Sequence, residues 1–287
     1  GNRGSRATKV GERTGRTTTY DGSLRTPHMG VLDRFRLDGE TAIVTGGNRG
    51  IGRAIAQALA EAGADVVVAN RDEESGRVAA AEIAESTGAE TLAVAVDVAD
   101  EASVEAMVDA TLAQFGDVDV LVNNAGIVVH EGIEEMTLAE WNSVIATNLT
   151  GVFLCSKYAG APMVAGDGGA IVSVSSMSAY VANYPQRQVS YNASKGGVES
   201  FTRQLASEWA EHDVRVNTVA PGYVRTDNTD QADAVDPDID EVWMSEMLMD
   251  DIAPPEDVAP TVVYLASDAA RYVTGASVVV DGGYTVR

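Results

Sequence analysis

Short apolar runs alternate along this chain with longer segments whose apolar positions recur at helical spacing. Thr41–Thr45 (TAIVT) is a compact apolar run ending in glycines. Residues 50–62 are rich in Ala and Ile at helical intervals until Gly63 stops them. Asp65–Ala69 (DVVVA) predicts a second strand, residues 73–86 a helix, and Thr91–Val96 a third strand that ends at Asp97. Asp100 is placed to cap a helix running to Phe115. Val118–Val122, Ala170–Val174, Val214–Val219 and Ser277–Val280 predict further strands. Residues 137–165, ended by Pro162 and Gly166, and residues 190–211 and 256–267 predict the remaining helices. This alternation predicts an α/β, single-domain, doubly wound parallel sheet of about seven strands with helices on both faces. Continuous runs such as VVVA suit strands buried on both faces.

Two stretches break the pattern. Residues 1–28 are rich in Gly, Arg and Thr, lack periodicity and read as a disordered basic tail, either appended or translated from upstream. Residues 29–287 read as the single domain. Within it, residues 224–255 are rich in Asp and Met and hold three of the eight prolines, which predicts a substrate lid.

Charge changes the picture more than composition does. The net charge is -23, split as +4 over residues 1–28 and -27 over the rest. Beyond the tail the chain has only two lysines, Lys157 and Lys195. Such a surface argues against nucleic acid as a partner. It fits a halophilic protein, whose self-repulsion is screened in high salt, or more simply an acidic soluble one. With 45% hydrophobic residues the chain can bury a substantial core. The single cysteine, Cys155, reads as a small buried hydrophobe. No apolar run is long enough for a membrane span and no signal core is seen, so a cytoplasmic location without membrane partners is expected. No metal site is assigned.

The first strand runs into Gly46-Gly47-Asn48-Arg49-Gly50-Ile51-Gly52, whose backbone N–H groups at a helix start suit a pyrophosphate, or simply make a tight connection. The second strand ends at Asn70-Arg71 rather than at an acid. A neutral residue followed by a cation suits a 2'-phosphate, with Arg49 adding charge, and favours NADP(H) over NAD(H). The alternative is a surface Arg71 paired with Asp72 or Glu74. Tyr191 and Lys195 stand four residues apart at the start of the long helix, on one face. A neighbouring ammonium would lower the phenol pKa and make Tyr191 a proton donor and acceptor.

The ordered set TGGNRGIG at 45–52, Asp97-Val98, NNAG at 123–126, Asn148, Ser175-Ser176, YNASK at 191–195, Pro221-Gly222 and Asp281-Gly282-Gly283 resembles the short-chain dehydrogenase/reductase family over residues 37–284. The resemblance implies a Rossmann-like fold. It implies that Ser176 hydrogen-bonds the substrate oxygen, with Ser175 as the alternative, and that Tyr191 transfers the proton. Lys195 would hold the nicotinamide ribose and Asn148 would anchor a water. Asp97 and Val98 would contact adenine, Asn124, Ala125 and Gly126 would line the cofactor, and Pro221, Gly222, Val224 and Thr226 would meet its nicotinamide end. A homotetramer through helices 140–165 and 190–211 is also implied, although those apolar faces equally suit a core.

Ser176 precedes Tyr191 by an unusually long loop. That loop and the segments around it resemble the polyol and ketose branch of the family, in which Asn183, Tyr184 and Gln186 would meet substrate hydroxyls. The expected function is therefore interconversion of a secondary alcohol and a ketone on a sugar alcohol or related polyol. The alternatives are a 3-oxoacyl-thioester reductase, a sugar-acid dehydrogenase that uses Arg187 and Arg225 for the carboxylate, and a non-catalytic nucleotide-binding protein.

Overall fold

The computed structural model describes residues 30–226, 239–249 and 251–286. The expected tail, residues 1–28, lies outside them, as does the middle of the expected lid. Among the described residues the order is β1 (Thr41–Thr45), α1 (Gly50–Glu61), β2 (Asp65–Asn70), α2 (Glu73–Thr87), β3 (Thr91–Ala95), α3 (Glu101–Phe115), β4 (Val120–Asn123), α4 (Leu138–Ile145), α5 (Gly151–Ala165), β5 (Gly169–Val174), α6 (Val189–Trp209), β6 (Val214–Pro221), α7 (Ile239–Glu246), α8 (Ala259–Ala266) and β7 (Ser277–Val280). These strands form one seven-stranded sheet in the order β3-β2-β1-β4-β5-β6-β7, every pairing parallel.

Strand periodicity of two divides the core between the sheet faces. Ala42, Val44, Val66 and Val68 pack against Ile55 and Leu59 of α1, Ile83 of α2 and Leu265 of α8. Their neighbours Ile43, Val67, Leu121 and Ile171 pack against Met107 of α3, Cys155 and Met163 of α5, and Leu205 of α6. Cys155 is buried as expected, and burial pushes its thiol up to about 12. Asp100 accepts from the Ser103 N–H at 2.8 Å, which is the predicted cap.

Several element boundaries differ from those the pattern predicts, most of them by one or two residues. Strand β4 begins at Val120 rather than Val118, because Asp119 instead turns its carboxylate to the Thr41 N–H at 2.7 Å. The helix expected over 137–165 is interrupted by a π turn at Ala146–Thr150. Pro162 does not end α5. It lies in the last turn, and the helix closes with Gly166 N–H on the Pro162 carbonyl. The helix expected at 256–267 splits into a 3-10 turn, Pro255–Asp257, and α8, whose first turn accommodates Pro260.

Chain order reverses between β1 and β4, each continuing outward from that point, so a crevice opens at the carboxyl ends of these strands. A third small apolar cluster stands beside it, where Met177, Tyr223, Trp243, Met247 and Ile252 pack together. Thus the described part of the expected lid contributes to that cluster through α7 and the residues after it.

Candidate active site

A cavity of about 660 Å³ runs along the crevice from the β1–α1 turn to α7. At one end lies the glycine turn. Gly46 has φ 65°, a conformation that favours glycine, and a Cβ on Gly52 would collide with the Gly46 carbonyl. Asn124 fastens this turn to β4, donating to the carbonyls of Thr45 at 2.9 Å and Gly46 at 3.2 Å. Helix α1 starts without a capping side chain, which leaves its first N–H groups for an anion. Gly46, Asn48, Arg49, Gly50, Ile51 and Gly52 all border the cavity, as expected.

At the end of β2, Asn70 and Arg71 border the same cavity. Asn70 Nδ2 donates to the Asp72 carbonyl at 2.5 Å, while its buried Oδ1 has no partner. Asn48 Nδ2 donates to Ser75 Oγ at 2.9 Å, and Asp72 caps α2 by accepting from Ser75 N–H. Asp97, Val98, Asn124, Ala125 and Gly126 line the next stretch. A glycine cradle that a Cβ would fill, followed by an unpartnered amide oxygen at the strand end, suits a bound dinucleotide.

The π turn places Asn148. Its side chain accepts from Ile127 N–H at 2.8 Å and donates to the Ile127 carbonyl at 2.9 Å and to Ser194 Oγ at 3.1 Å. It therefore ties the loop after β4 to the helix carrying Tyr191 and Lys195. Inserting one extra residue into a helical turn is a recurrent feature of functional sites. Across Gly126, Asn148 Oδ1 and Lys195 Nζ both come within 4 Å of where a Cβ would stand.

Lys195 is buried, donates to the Val174 carbonyl at 2.7 Å and lies 5.5 Å from the Tyr191 ring centroid. Burial pulls its ammonium down to about 8, opposed by the charge of Glu199. The expected lowering of the Tyr191 phenol is not what the structure shows. Burial pushes it above its ordinary value, and hydrogen bonding to Ser176 is what opposes that rise. Ser176 Oγ also accepts from Ser178 N–H at 3.1 Å, whereas the buried Ser175 Oγ has no partner. Between the two serines, Ser176 is the one that engages Tyr191.

The residues expected to meet substrate separate. Gln186 and Asn183 border the cavity. Arg187 does not: its guanidinium pairs with Glu134 at 2.6 Å and stands 3.9 Å from Glu135 at the surface. Arg225 pairs with Asp240 at 2.5 Å. Tyr184 is 74% exposed and also lies off the cavity. Pro221, Gly222, Val224 and Thr226 border it.

Several cavity residues escaped the sequence reading: Ser75, His130, Ser178, Gln188, Tyr223 and Trp243. Tyr223 had a signal, since it sits between Gly222 and Val224. His130 is exposed by accessible surface, and partial desolvation lowers its pKa. Among the described residues no cluster of His, Cys, Asp or Glu is placed to hold a metal ion.

A glycine-lined anion site leading to a buried Ser–Tyr–Lys set is the arrangement of a dinucleotide-dependent oxidoreductase. Residues 46–285 match the family model described as Enoyl-(Acyl carrier protein) reductase. The chain is 42% identical to a galactitol 2-dehydrogenase of Rhizobium johnstonii over 90% of its own length and 99% of that protein. It is 39% identical to an NADP-dependent mannitol dehydrogenase of Alternaria alternata, over 90% of this chain and 96% of that one. The crystal structure of a gluconate 5-dehydrogenase from Burkholderia cenocepacia, in complex with NADP and tartrate, superposes with a TM-score of 0.85 at 32% identity, covering 90% of this chain and 100% of that one. The chain belongs to the short-chain dehydrogenase/reductase family. It is an oxidoreductase of CH–OH groups with a nicotinamide cofactor and a small-molecule substrate. Among the described residues no helix is long and apolar enough to cross a membrane.

Proposed function

We propose that this enzyme interconverts a secondary alcohol and a ketone on a neutral sugar alcohol or ketose, with NADP(H). The observation that carries the reading is the chemistry of the cavity wall beyond Ser176. Asn183, Gln186, Gln188 and Tyr223 offer neutral donors and acceptors there, while Arg187 and Arg225 are both engaged by carboxylates. Such a wall suits hydroxyls, and the two arginines nearest in sequence to the catalytic segments are committed to Glu134 and Asp240 rather than to a substrate carboxylate, which counts against a sugar acid. Relatives named for galactitol and mannitol agree.

A nicotinamide held along this cavity would supply the carbon that accepts or gives the hydride. In ketone reduction the Tyr191 phenol gives its proton to the substrate oxygen, and in alcohol oxidation the tyrosinate takes that proton back. Ser176 hydrogen-bonds the substrate oxygen and stabilises its developing negative charge. Lys195, held at the carboxyl end of β5, would hold the nicotinamide ribose and place positive charge beside Tyr191. Asn148 fixes the spacing of this set by tying the loop after β4 to α6.

Preference for NADP(H) rests on Arg71, which stands at the end of β2 beside neutral Asn70, with the nearby Asp72 carboxylate committed to capping α2. The reading extends to three properties of the whole protein. The acidic surface fits work in molar salt. An apolar depression formed by Leu149, Phe153, Gly197 and Phe201 on α5, α6 and the π turn fits subunit packing in a homotetramer, which sedimentation at several salt concentrations would test. Dependence on an intracellular cofactor fits the cytoplasm, testable by cell fractionation. The primary test is a screen in molar salt, with both cofactors, over polyols, ketoses, aldonic acids and acyl thioesters. Turnover of polyols and ketoses supports the reading; turnover confined to acids or thioesters overturns it.

A further inference from the structure

The long loop between Ser176 and Tyr191 is threaded by a continuous chain of side-chain hydrogen bonds. Ser176 Oγ donates to Ser178 Oγ at 3.0 Å. Gln188 Nε2 reaches Ser178 Oγ at 3.4 Å and Asn192 Oδ1 at 3.2 Å. Asn192 Nδ2 donates to Asn183 Oδ1 at 3.2 Å, and Asn183 Nδ2 to the Tyr223 hydroxyl at 3.5 Å. The Gln186 amide completes the chain, with Nε2 3.3 Å from the same hydroxyl. The chain thus runs from the serine that engages Tyr191 to a phenol on a different segment.

Tyr223 is held on three sides. Its ring stacks on Trp243 at 4.1 Å and 11°, and Tyr284 meets it edge-on at 5.5 Å. The hydroxyl is therefore fixed by packing at the ring and by amides at the oxygen. Burial also keeps this phenol un-ionised, so it remains a hydrogen-bond donor. One polar atom of the cluster is left over: the indole N–H of Trp243 is buried and has no acceptor. Both aromatic residues border the cavity.

We infer that Tyr223, Gln186 and Asn183, backed by Trp243, form a subsite for the substrate hydroxyls remote from the reacting carbon, kept in register with Ser176 by the hydrogen-bond chain. This inference rests on the polyol reading and deepens it. Its occupant is a neutral polyhydroxylated chain. The groups of the network satisfy one another, Tyr223 donating in turn to Gln186 Oε1 at 3.4 Å, so a polyhydroxylated chain can exchange both donors and acceptors with it, whereas an unhydroxylated ketone offers nothing in exchange.

The test uses the full-length protein in molar salt and compares ketoses of increasing length (erythrulose, xylulose and fructose) with butan-2-one, which lacks the remote hydroxyls. Tyr223→Phe keeps the ring and its stacking while removing the hydroxyl. Its expected effect is a loss in kcat/KM for the ketoses at least about tenfold larger than the loss for butan-2-one, carried mainly by KM. Gln186→Ala, on the loop and away from the aromatic stack, is expected to shift the same ratio in the same direction, and Trp243→Phe to do so more weakly. Equal losses on ketoses and butan-2-one, or no loss on either, would overturn the subsite. A wild-type enzyme that reduces butan-2-one and none of the ketoses would instead overturn the polyol reading, and the subsite with it.

Discussion

Glu199 stands one helical turn beyond Lys195 on α6, and both side chains are buried. Its carboxylate accepts from Thr218 Oγ1 at 2.9 Å and Ser277 Oγ at 3.1 Å, which ties the helix to β6 and β7. Its charge is what holds the Lys195 ammonium up against burial. Activity that needs a charged Lys195 should fall as pH rises through about 8. Glu199→Gln keeps the size and much of the hydrogen bonding but removes the charge. The expected result is an alkaline limb of kcat/KM displaced to lower pH, with little change in its plateau. Unmoved limbs would count against the coupling.

The same titration acts on stability in the opposite direction. The folded-state pKa of Lys195, about 8, lies below its ordinary 10.5, so between these values the unfolded chain binds more protons. The contribution of this group to stability is therefore full above about 10.5 and is lost as pH falls through about 8. Comparing denaturant midpoints of wild type and Lys195→Met from pH 7 to 10 isolates it. The destabilising difference carried by lysine should shrink as pH rises.

Arg187 lies between Gln186 and Gln188, which border the cavity, but its own side chain does not. Its partners Glu134 and Glu135 belong to the loop after β4, and all three side chains are largely exposed. Exposed pairs of this kind are worth about 0–1 kcal/mol. Arg187→Glu is therefore expected to change KM for neutral and acidic substrates alike by less than about threefold. A selective rise in KM for aldonic acids would restore a carboxylate-binding role.

Arg71 is expected to carry the cofactor choice. Arg71→Ala should raise KM for NADP(H) by about tenfold or more, the scale of a lost charge-assisted bond, while leaving KM for NAD(H) nearly constant. Equal effects on both cofactors would show that the adenosine end is read elsewhere.

The acidic surface makes a prediction of its own. Screening length falls from about 10 Å at 0.1 M salt to about 3 Å at 1 M. With a net charge of -23, the thermal midpoint should rise steeply over that range and continue upward at higher salt. A flat dependence, followed by circular dichroism, would mark the surface as merely acidic.

Where sequence succeeded and failed follows from the range of the interactions. The sheet was legible because Val66, Val67 and Val68 are buried on both faces and the helices between strands keep their period. The glycine turn, Asn148, Ser176, Tyr191 and Lys195 were legible as an ordered set of motifs. The π turn was not, because it is stabilised by Asn148 reaching Ile127 and Ser194, contacts that no local pattern encodes. Nor was the direction of the Tyr191 shift, which depends on burial outweighing a nearby charge. Gln186 was found in the loop, but its partner Tyr223 lies on the segment after β6, and only the folded chain brings them together.

Whether Tyr191 transfers the proton in a polyol–ketose oxidoreductase is decided by a single comparison. Wild type and Tyr191→Phe are assayed in molar salt for NADP(H)-dependent turnover of a ketose, with cofactor binding measured in parallel by fluorescence. The account predicts a fall in kcat of about 10²–10⁴-fold with cofactor affinity within a few-fold of wild type. Turnover by Tyr191→Phe at the wild-type rate would contradict it.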